Sequence, residues 1–339
     1  MRTLAISLWP VLLMAQTGDV IVPVKYHHTF SSAHPVVARL KPGSILRVKT
    51  LDAGGQNDKG ERLSTSPNPL SGPFYVEGAE PGDAVTLHIR ALRLTRDWGW
   101  TGFRLGLFSL SADYIEGIYS NRYRPDFLRP GRADLVRWNI DTKTRRVKLE
   151  DPVSKRAVLE FDAQPMLGCI GVAPPGDMAA SSSISGAWGG NLDYNAIGEG
   201  ATVHFPVFHP GALVFVGDGH ALQADGEPIG TGIETAMEAE IEVGLRKKTG
   251  DRSLLTGPRL VNKNYMISIG SQPEFASSLD RALQMATTDM VRWLVSEGFE
   301  PWAAHLLIGM KGKYDVVTVA GSVGLRLPLE DVRMKPANR

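Results

Sequence analysis

Three of this chain's five Pro-Gly pairs introduce its clearest strands. Pro42-Gly43, Pro81-Gly82 and Pro210-Gly211 each stand just before a short alternating or wholly apolar run: Ile45 to Leu51, Ala84 to Ile89 and Ala212 to Val216. A Pro-Gly pair fixes a tight turn and sends the chain off in a new direction. Runs of this length, at period two or without a polar residue, are strands. Ala201 to Val207 and Thr235 to Leu245 repeat the pattern, and Arg145 to Asp162 reads as two short strands. The fold is therefore expected to be mainly β, with the grammar of a β-sandwich or barrel. Only the end of the chain departs from it. Ser277 to Gly298 carries Leu279, Leu283, Met285, Ala286, Met290, Trp293 and Leu294 at helical spacing, with Gly298 as the stop. Pro301 to Gly312 opens with proline at a first helical position. Together they give a smaller α+β C-terminal portion.

The N-terminus stands apart. Met1-Arg2 is a short basic start, Leu4 to Met14 is apolar, and Ala15 closes the run before Gln16-Thr17-Gly18-Asp19. The run is shorter than the roughly 20 residues that span a bilayer and has the form of a secretory signal peptide. Residues 1–15 are expected to leave on export to the periplasm or medium, with no stable membrane span after cleavage; a retained anchor or a misassigned start codon is the other reading. The remainder is expected to divide into a β-rich domain over 16–165 and a β-rich/α+β domain over 166–339, the latter holding the main site loops and the helices. Gly54 to Pro73 reads as a long polar loop, either functional or disordered. Trp98 to Pro130 reads as an irregular excursion and Gln164 to Gly200 as a Gly-, Pro- and Ser-rich loop.

Charge narrows the function. Lys and Arg number 37 against 36 Asp and Glu, so nothing marks a nucleic-acid or anionic-membrane surface, and a small neutral substrate fits the balance. The single cysteine, Cys169, excludes an internal disulfide framework.

The densest polar segment is Gly217 to Glu227, directly after a very apolar strand. If that strand continues, Asp218 and His220 point to one side and can share a metal ion through oxygen and nitrogen. Glu227 or Asp225 can then move a proton. The same segment also reads as a hairpin whose Asp and Gly serve the turn. In Trp188 to Tyr194, two glycines allow close backbone approach, and Asn191 and Asp193 share a face if extended; an Asx-turn explains them equally. His34, Asp52 and Asn68 are further candidates in the N-terminal half, while His27, His28, His204 and His209 read as structural or surface residues. Cys169 can be drawn as a nucleophile, yet its apolar flanks suit a buried, inert thiol.

These segments, taken in order, resemble the acetamidase/formamidase family. The resemblance is carried by His34-Pro35, Lys41-Pro42-Gly43, Leu51 to Gln56, Asn68 to Pro73, Val76 to Asp83, Met166 to Gly171, Gly189 to Asp193 and Asp218 to Glu227. It implies hydrolysis of small aliphatic amides to carboxylate and ammonia, a β-rich fold with a jelly-roll-like part, homo-oligomers, and a divalent metal at the site. On that footing zinc or calcium is expected on Asp218, His220, Asp193 and Asp52. Glu227 is expected as base and then acid, Asn191 at the oxyanion, and His34, Asn68 and Gly190 against substrate. The competing readings are an exported non-catalytic ligand-binding module on the same scaffold and a Cys169-dependent acyl transferase.

Overall fold

The structure is a computed structural model that describes residues 19–102, 109–111, 135–150, 156, 158–250, 254–271 and 278–332. The expected leader, residues 1–15, and most of the stretch 98–130 lie outside the described residues.

The chain is mainly β. A nine-stranded sheet runs in the order Val20–Ile21, Ile45–Lys49, Met237–Arg246, Ala84–Leu94, Thr202–Pro206, Arg259–Val261, Tyr265–Ser271, Ser322–Pro328, Lys313–Thr318. A six-stranded sheet runs Ser185–Gly186, Gly189–Asn191, Met166–Val172, Val214–His220, Leu70–Val76, Ala38–Leu40. Both feed one core. Val85, Leu87, Ile89 and Ile241 from the first sheet and Phe74, Leu167, Ile170 and Val216 from the second are fully buried in it. Each side chain of that size stabilises by about 1.5–3 kcal/mol, so packing rather than cross-linking holds the fold. Strands from either side of residue 165 are interleaved in both sheets.

The period-two pattern does what it should in the larger sheet. Along Met237–Arg246, Met237, Ala239, Ile241 and Val243 face the core, while Glu238, Glu240 and Glu242 face out and pair with Arg47, Arg93 and Arg90. Ala84–Leu94 runs five residues beyond the expected Ile89.

Three expectations are corrected. The stretch expected as a loop from Gln164 holds the strand Met166–Val172, buried at every position. A strand covered on both faces carries no alternation, and its two glycines, Gly168 and Gly171, imitate loop composition. The long loop expected to reach Pro73 ends earlier, because Leu70–Val76 is a strand. Its Gly72-Pro73 sits where the register against Val214–His220 shifts, the kind of irregularity that admits proline. The excursion expected from Trp98 begins as a strand, Trp98–Gly102, in a four-stranded sheet with Leu135–Asp141, Arg146–Leu149 and Glu160–Asp162.

The helices form at Leu279–Ser296, N-capped by Ser278, and at Pro301–Lys311. They cover the far end of the nine-stranded sheet, where Ala286, Met290, Leu294, Ala304 and Ile308 meet Met266, Leu325 and Leu327. Burial follows Ala282, Ala286 and Met290 rather than Leu283, which is 40% exposed. The first helix approaches that closely because Gly270 lies beneath it: a Cβ there would stand 1.9 Å from the Ala282 carbonyl oxygen. Among the described residues no helix is long and apolar enough to cross a membrane.

Candidate active site

The site is built over the middle of the six-stranded sheet. Met166–Val172 is flanked on one side by Gly189–Asn191, with Cys169 opposite Asn191. On the other side lies Val214–His220, with Met166 opposite His220 and Cys169 opposite Gly217. Beyond Asn191 the chain folds back over Gly168, whose carbonyl accepts the N–H groups of Leu192 and Asp193 at 2.9 and 3.2 Å. Asp193 from one neighbour thereby meets Asp218 and His220 from the other. One ligand atom from each of the three lies within 4.8 Å of the others, and none is more than 3% exposed. Gly168 makes the meeting possible, since a Cβ on it would stand 2.5 Å from Asp193 Oδ1 and 2.7 Å from Asp218 Oδ2.

A fourth member, Glu234, arrives on a short bridging segment. It pairs through its backbone with His220 on one side and with Trp100 on the other. Its Oε1 accepts from Gly232 N at 3.1 Å and stands 3.2 Å from His220 Nε2, which is also 3.4 Å from Asp218 Oδ1. Neither contact has hydrogen-bond geometry. Asp193 Oδ1, Asp218 Oδ1, both His220 ring nitrogens and Glu234 Oε2 are all buried without a hydrogen-bond partner. Buried polar atoms are normally paired, so five orphans in one cluster call for a bound group. Two carboxylates and an imidazole are donors for a divalent cation. The residues fit the metal that the resemblance implies.

Electrostatics point the same way. Burial, reinforced by the Asp218 charge, pushes Asp193 up to about 7. Burial likewise pushes Glu234 up to about 8, with His220 pulling against it. Burial alone would strip His220 of its proton, but the carboxylates of Glu234 and Asp218 outweigh it and hold the ring well above its usual value. Without a cation, protons take its place.

The remaining sequence-predicted residues divide. Glu227 is half-buried beside the cluster and is pushed well above the ordinary carboxyl range by burial and then by the Asp193 charge. Asn191 donates from Nδ2 to Asp193 Oδ2 and accepts at Oδ1 from Asn68 Nδ2 at 2.8 Å. Gly190 is fixed by backbone crowding, with φ of 103° and a Cβ that would stand 2.4 Å from the Ile184 carbonyl oxygen. His34 is occupied elsewhere, stacked on His27 at 3.8 Å with Nε2 on Thr29. Asp225 is exposed and accepts from Asn195 at 2.7 Å.

Asp52 is corrected. It stands outside the metal-ligand group, and both its oxygens are occupied: Oδ1 by the Gln56 N–H at 2.9 Å, Oδ2 by Arg96 at 2.8 Å and the Trp100 indole at 3.0 Å. It is the counter-ion of a buried arginine. Cys169 lies in the floor of the site, its thiol donating to Asn191 Oδ1 at 3.0 Å and Ser182 O at 3.3 Å. Burial, then Asp218 and Asp193, push the thiol well up, so it is held as a donor and not as the anion a nucleophile requires.

The profile of the Acetamidase/Formamidase family matches residues 180–321. A formamidase of Methylophilus methylotrophus is 26% identical, over 84% of this chain and 82% of that protein. An acetamidase structure from Bacillus halodurans superposes with a TM-score of 0.74 at 25% identity, covering 92% of this chain and 98% of the other. A predicted acetamidase/formamidase from Thermoanaerobacter tengcongensis does so with 0.72 at 28% identity, covering 93% and 98%. The chain is thus similar, in sequence and in fold, to acetamidases and formamidases. The profile match takes in Asn191, Asp193, Asp218, His220, Glu227 and Glu234, while Asp52, Asn68 and Cys169 lie before it.

Backbone geometry marks the same residues. Among the described residues seven non-glycines have positive φ, and four of them are Asn68, Asp193, Asp218 and Glu227, at 43°, 45°, 55° and 47°. This left-handed conformation costs an L-residue about 1–2 kcal/mol, and such strain concentrates at functional sites. Glu234 was missed as a participant because the alternation that places Glu238, Glu240 and Glu242 outside assigns it the same parity; the bridge to His220 turns it inward.

Two predictions follow from the cluster. Asp193 and Glu234 hold protons more tightly in the folded protein, at about 7 and about 8, than at their ordinary 3.8 and 4.5, and His220 is raised in the same sense. The metal-free fold therefore binds more protons than the unfolded chain from about pH 4 to about pH 8 and loses stability as pH rises through that window. A divalent ion displaces those protons. In thermal melts, the gap between metal-loaded and chelator-stripped protein should widen from pH 5 to pH 8; a constant gap would contradict the ion site. Gly168→Ala should keep the β circular-dichroism spectrum yet weaken Zn²⁺ binding at least tenfold by calorimetry, because its methyl occupies the space of two ligands.

Proposed function

We propose that this protein is a hydrolase of small linear amides of the formamide and acetamide kind, releasing carboxylate and ammonia with the help of a divalent ion on Asp193, Asp218 and His220. The observation that carries the reading is the set of orphaned, buried donor atoms facing one another. It is supported by relatives named formamidase and acetamidase. The mixed oxygen and nitrogen donor set suits zinc better than calcium, which takes oxygen ligands. Bound there, the ion supplies Lewis-acid chemistry, polarising a carbonyl and making water more acidic.

The chain's own residues do the rest. Glu227, half-buried and raised well above the ordinary carboxyl range by burial and then by the Asp193 charge, is the proton-transfer group. It takes a proton from the attacking water and returns it to the amide nitrogen as the carbon–nitrogen bond breaks. Asn191 commits one N–H to Asp193 and keeps the second for the developing oxyanion. Asn68 holds the Asn191 amide in that orientation. The reading carries the expected leader over residues 1–15 and self-assembly into a homo-oligomer with it. N-terminal sequencing and light scattering of exported protein test those two parts: a retained leader or a monomer would remove them.

The central test is ammonia release from a panel running from formamide to larger acyl and aryl amides, before and after chelation and with Zn²⁺, Mn²⁺ or Ca²⁺ restored. Activity should vanish with the chelator and return with one ion. Glu227→Gln should bind metal normally while turnover falls by about 10²–10⁴-fold. Folded, metal-loaded protein that releases ammonia from none of the panel would favour the binding-module reading.

A further inference from the structure

The segment that delivers Asp193 is held at three successive residues. Gln223 Nε2 donates to the Asp193 carbonyl at 2.6 Å. The Tyr194 hydroxyl donates to Asp315 Oδ2 at 2.5 Å. Asn195 Nδ2 donates to Asp225 Oδ1 at 2.7 Å. Asp315 belongs to Lys313–Thr318, an edge strand of the other sheet, and is itself fixed by Arg326 at 2.6 Å. The same strand holds the Glu227 arm: Gly226 N donates to the Val317 carbonyl at 3.3 Å, and Val319 N to the Gly226 carbonyl at 2.9 Å. One short stretch of chain thus grips the residue after Asp193 and the residue before Glu227. Tyr194 is 1% exposed. Gly324 makes room for its ring end, since a Cβ there would stand 2.8 Å from the hydroxyl.

A left-handed aspartate persists only where its surroundings over-determine it. We propose that Tyr194 and Asp315 are positioning residues: through their hydrogen bond the edge strand Lys313–Thr318 sets Asp193 in its ligating conformation and fixes its spacing from Glu227. The inference rests on the metal and amide-hydrolysis reading above and deepens it. Neither residue belongs to the proposed ligand group. Partners that orient a metal ligand typically govern affinity by 10–100-fold, and the effect here reaches the proton-transfer residue as well.

The test uses the full mature chain, stripped with chelator and titrated with Zn²⁺ alone in a calorimeter, beside ammonia-release kinetics. Tyr194→Phe keeps the ring and removes the hydroxyl. It should weaken Zn²⁺ binding about tenfold or more and lower kcat similarly, with KM within about twofold. Asp315→Asn keeps an acceptor for the hydroxyl and should stay within about threefold of wild type in both. Asn195→Ala, at a half-buried position, removes a neighbouring restraint without opening the core, so it serves if Tyr194→Phe does not fold; a several-fold loss of Zn²⁺ affinity is expected. Wild-type Zn²⁺ affinity in Tyr194→Phe, or in Asn195→Ala where that variant stands in, would overturn the proposal. So would an Asp315→Asn loss as deep as that of Tyr194→Phe, which would trace the effect to the Arg326 ion pair. Wild-type protein that takes up no Zn²⁺, Mn²⁺ or Ca²⁺ would instead overturn the metal reading itself, and this one with it.

Discussion

Asp193, Asp218 and Glu234 crowd around His220, all four of them almost wholly buried. Two like unit charges about 4 Å apart repel by roughly 4 kcal/mol at an effective dielectric near 20. That is a large share of the 5–15 kcal/mol by which a whole domain is usually stable. A fold that places three carboxylates so close together needs compensating positive charge, and one imidazolium supplies only part of it. Protons supply the rest in the metal-free state, and a divalent ion does so more completely. The unusual proton affinities and the orphaned atoms are two signs of the same missing charge.

The surrounding architecture makes that concentration tolerable. Asp218 and His220 sit on a strand buried at every position, so neither can swing toward solvent to relieve the repulsion. Glycines stand where any side chain would intrude: Gly168 beneath the two aspartates, and Gly232 against the imidazole, where a Cβ would lie 2.7 Å from Cγ. The large two-sheet core supplies the stability against which the cluster draws. Asp193 is the exception, since it comes from a turn beyond a short strand. Its place depends on bonds from other elements, and that is why residues as distant as Asp315 bear on the site.

Much of the fold was legible in the sequence wherever one face of an element meets water. The alternation of Thr235 to Leu245, the helical spacing after Ser277 and the Pro-Gly turns all report a boundary between core and solvent, and the structure bears them out. Met166–Val172 has no such boundary. Buried on both faces and carrying two glycines, it reads as loop although it lies at the centre of the site. The Asp218/His220 pair was legible because period two survives in a buried strand, and Asp193 because Gly189-Gly190 announces close packing. Glu234 was not, since local parity assigns it to the wrong face and only a contact between distant segments corrects it.

Asp52 and Asp193 show why residue type alone does not identify a ligand. Both are buried aspartates next to turns, and both read as metal-binding candidates. Around Asp52 the chain has gathered a backbone N–H, a guanidinium and an indole, so each oxygen is satisfied within the protein. A cation there would have to displace Arg96, itself only 2% exposed and buried against Trp98. Around Asp193 one oxygen is met by Asn191 and the other by nothing. A structural acid is recognised by the donors that surround it, and a ligand by the donor that is missing. Buried hydrogen-bond accounting therefore separates two aspartates that sequence leaves equivalent. It also ties them together: Asp52 holds Trp100, Trp100 pairs with Glu234, and Glu234 closes on His220. The satisfied carboxylate thus helps to hold the unsatisfied ones in place.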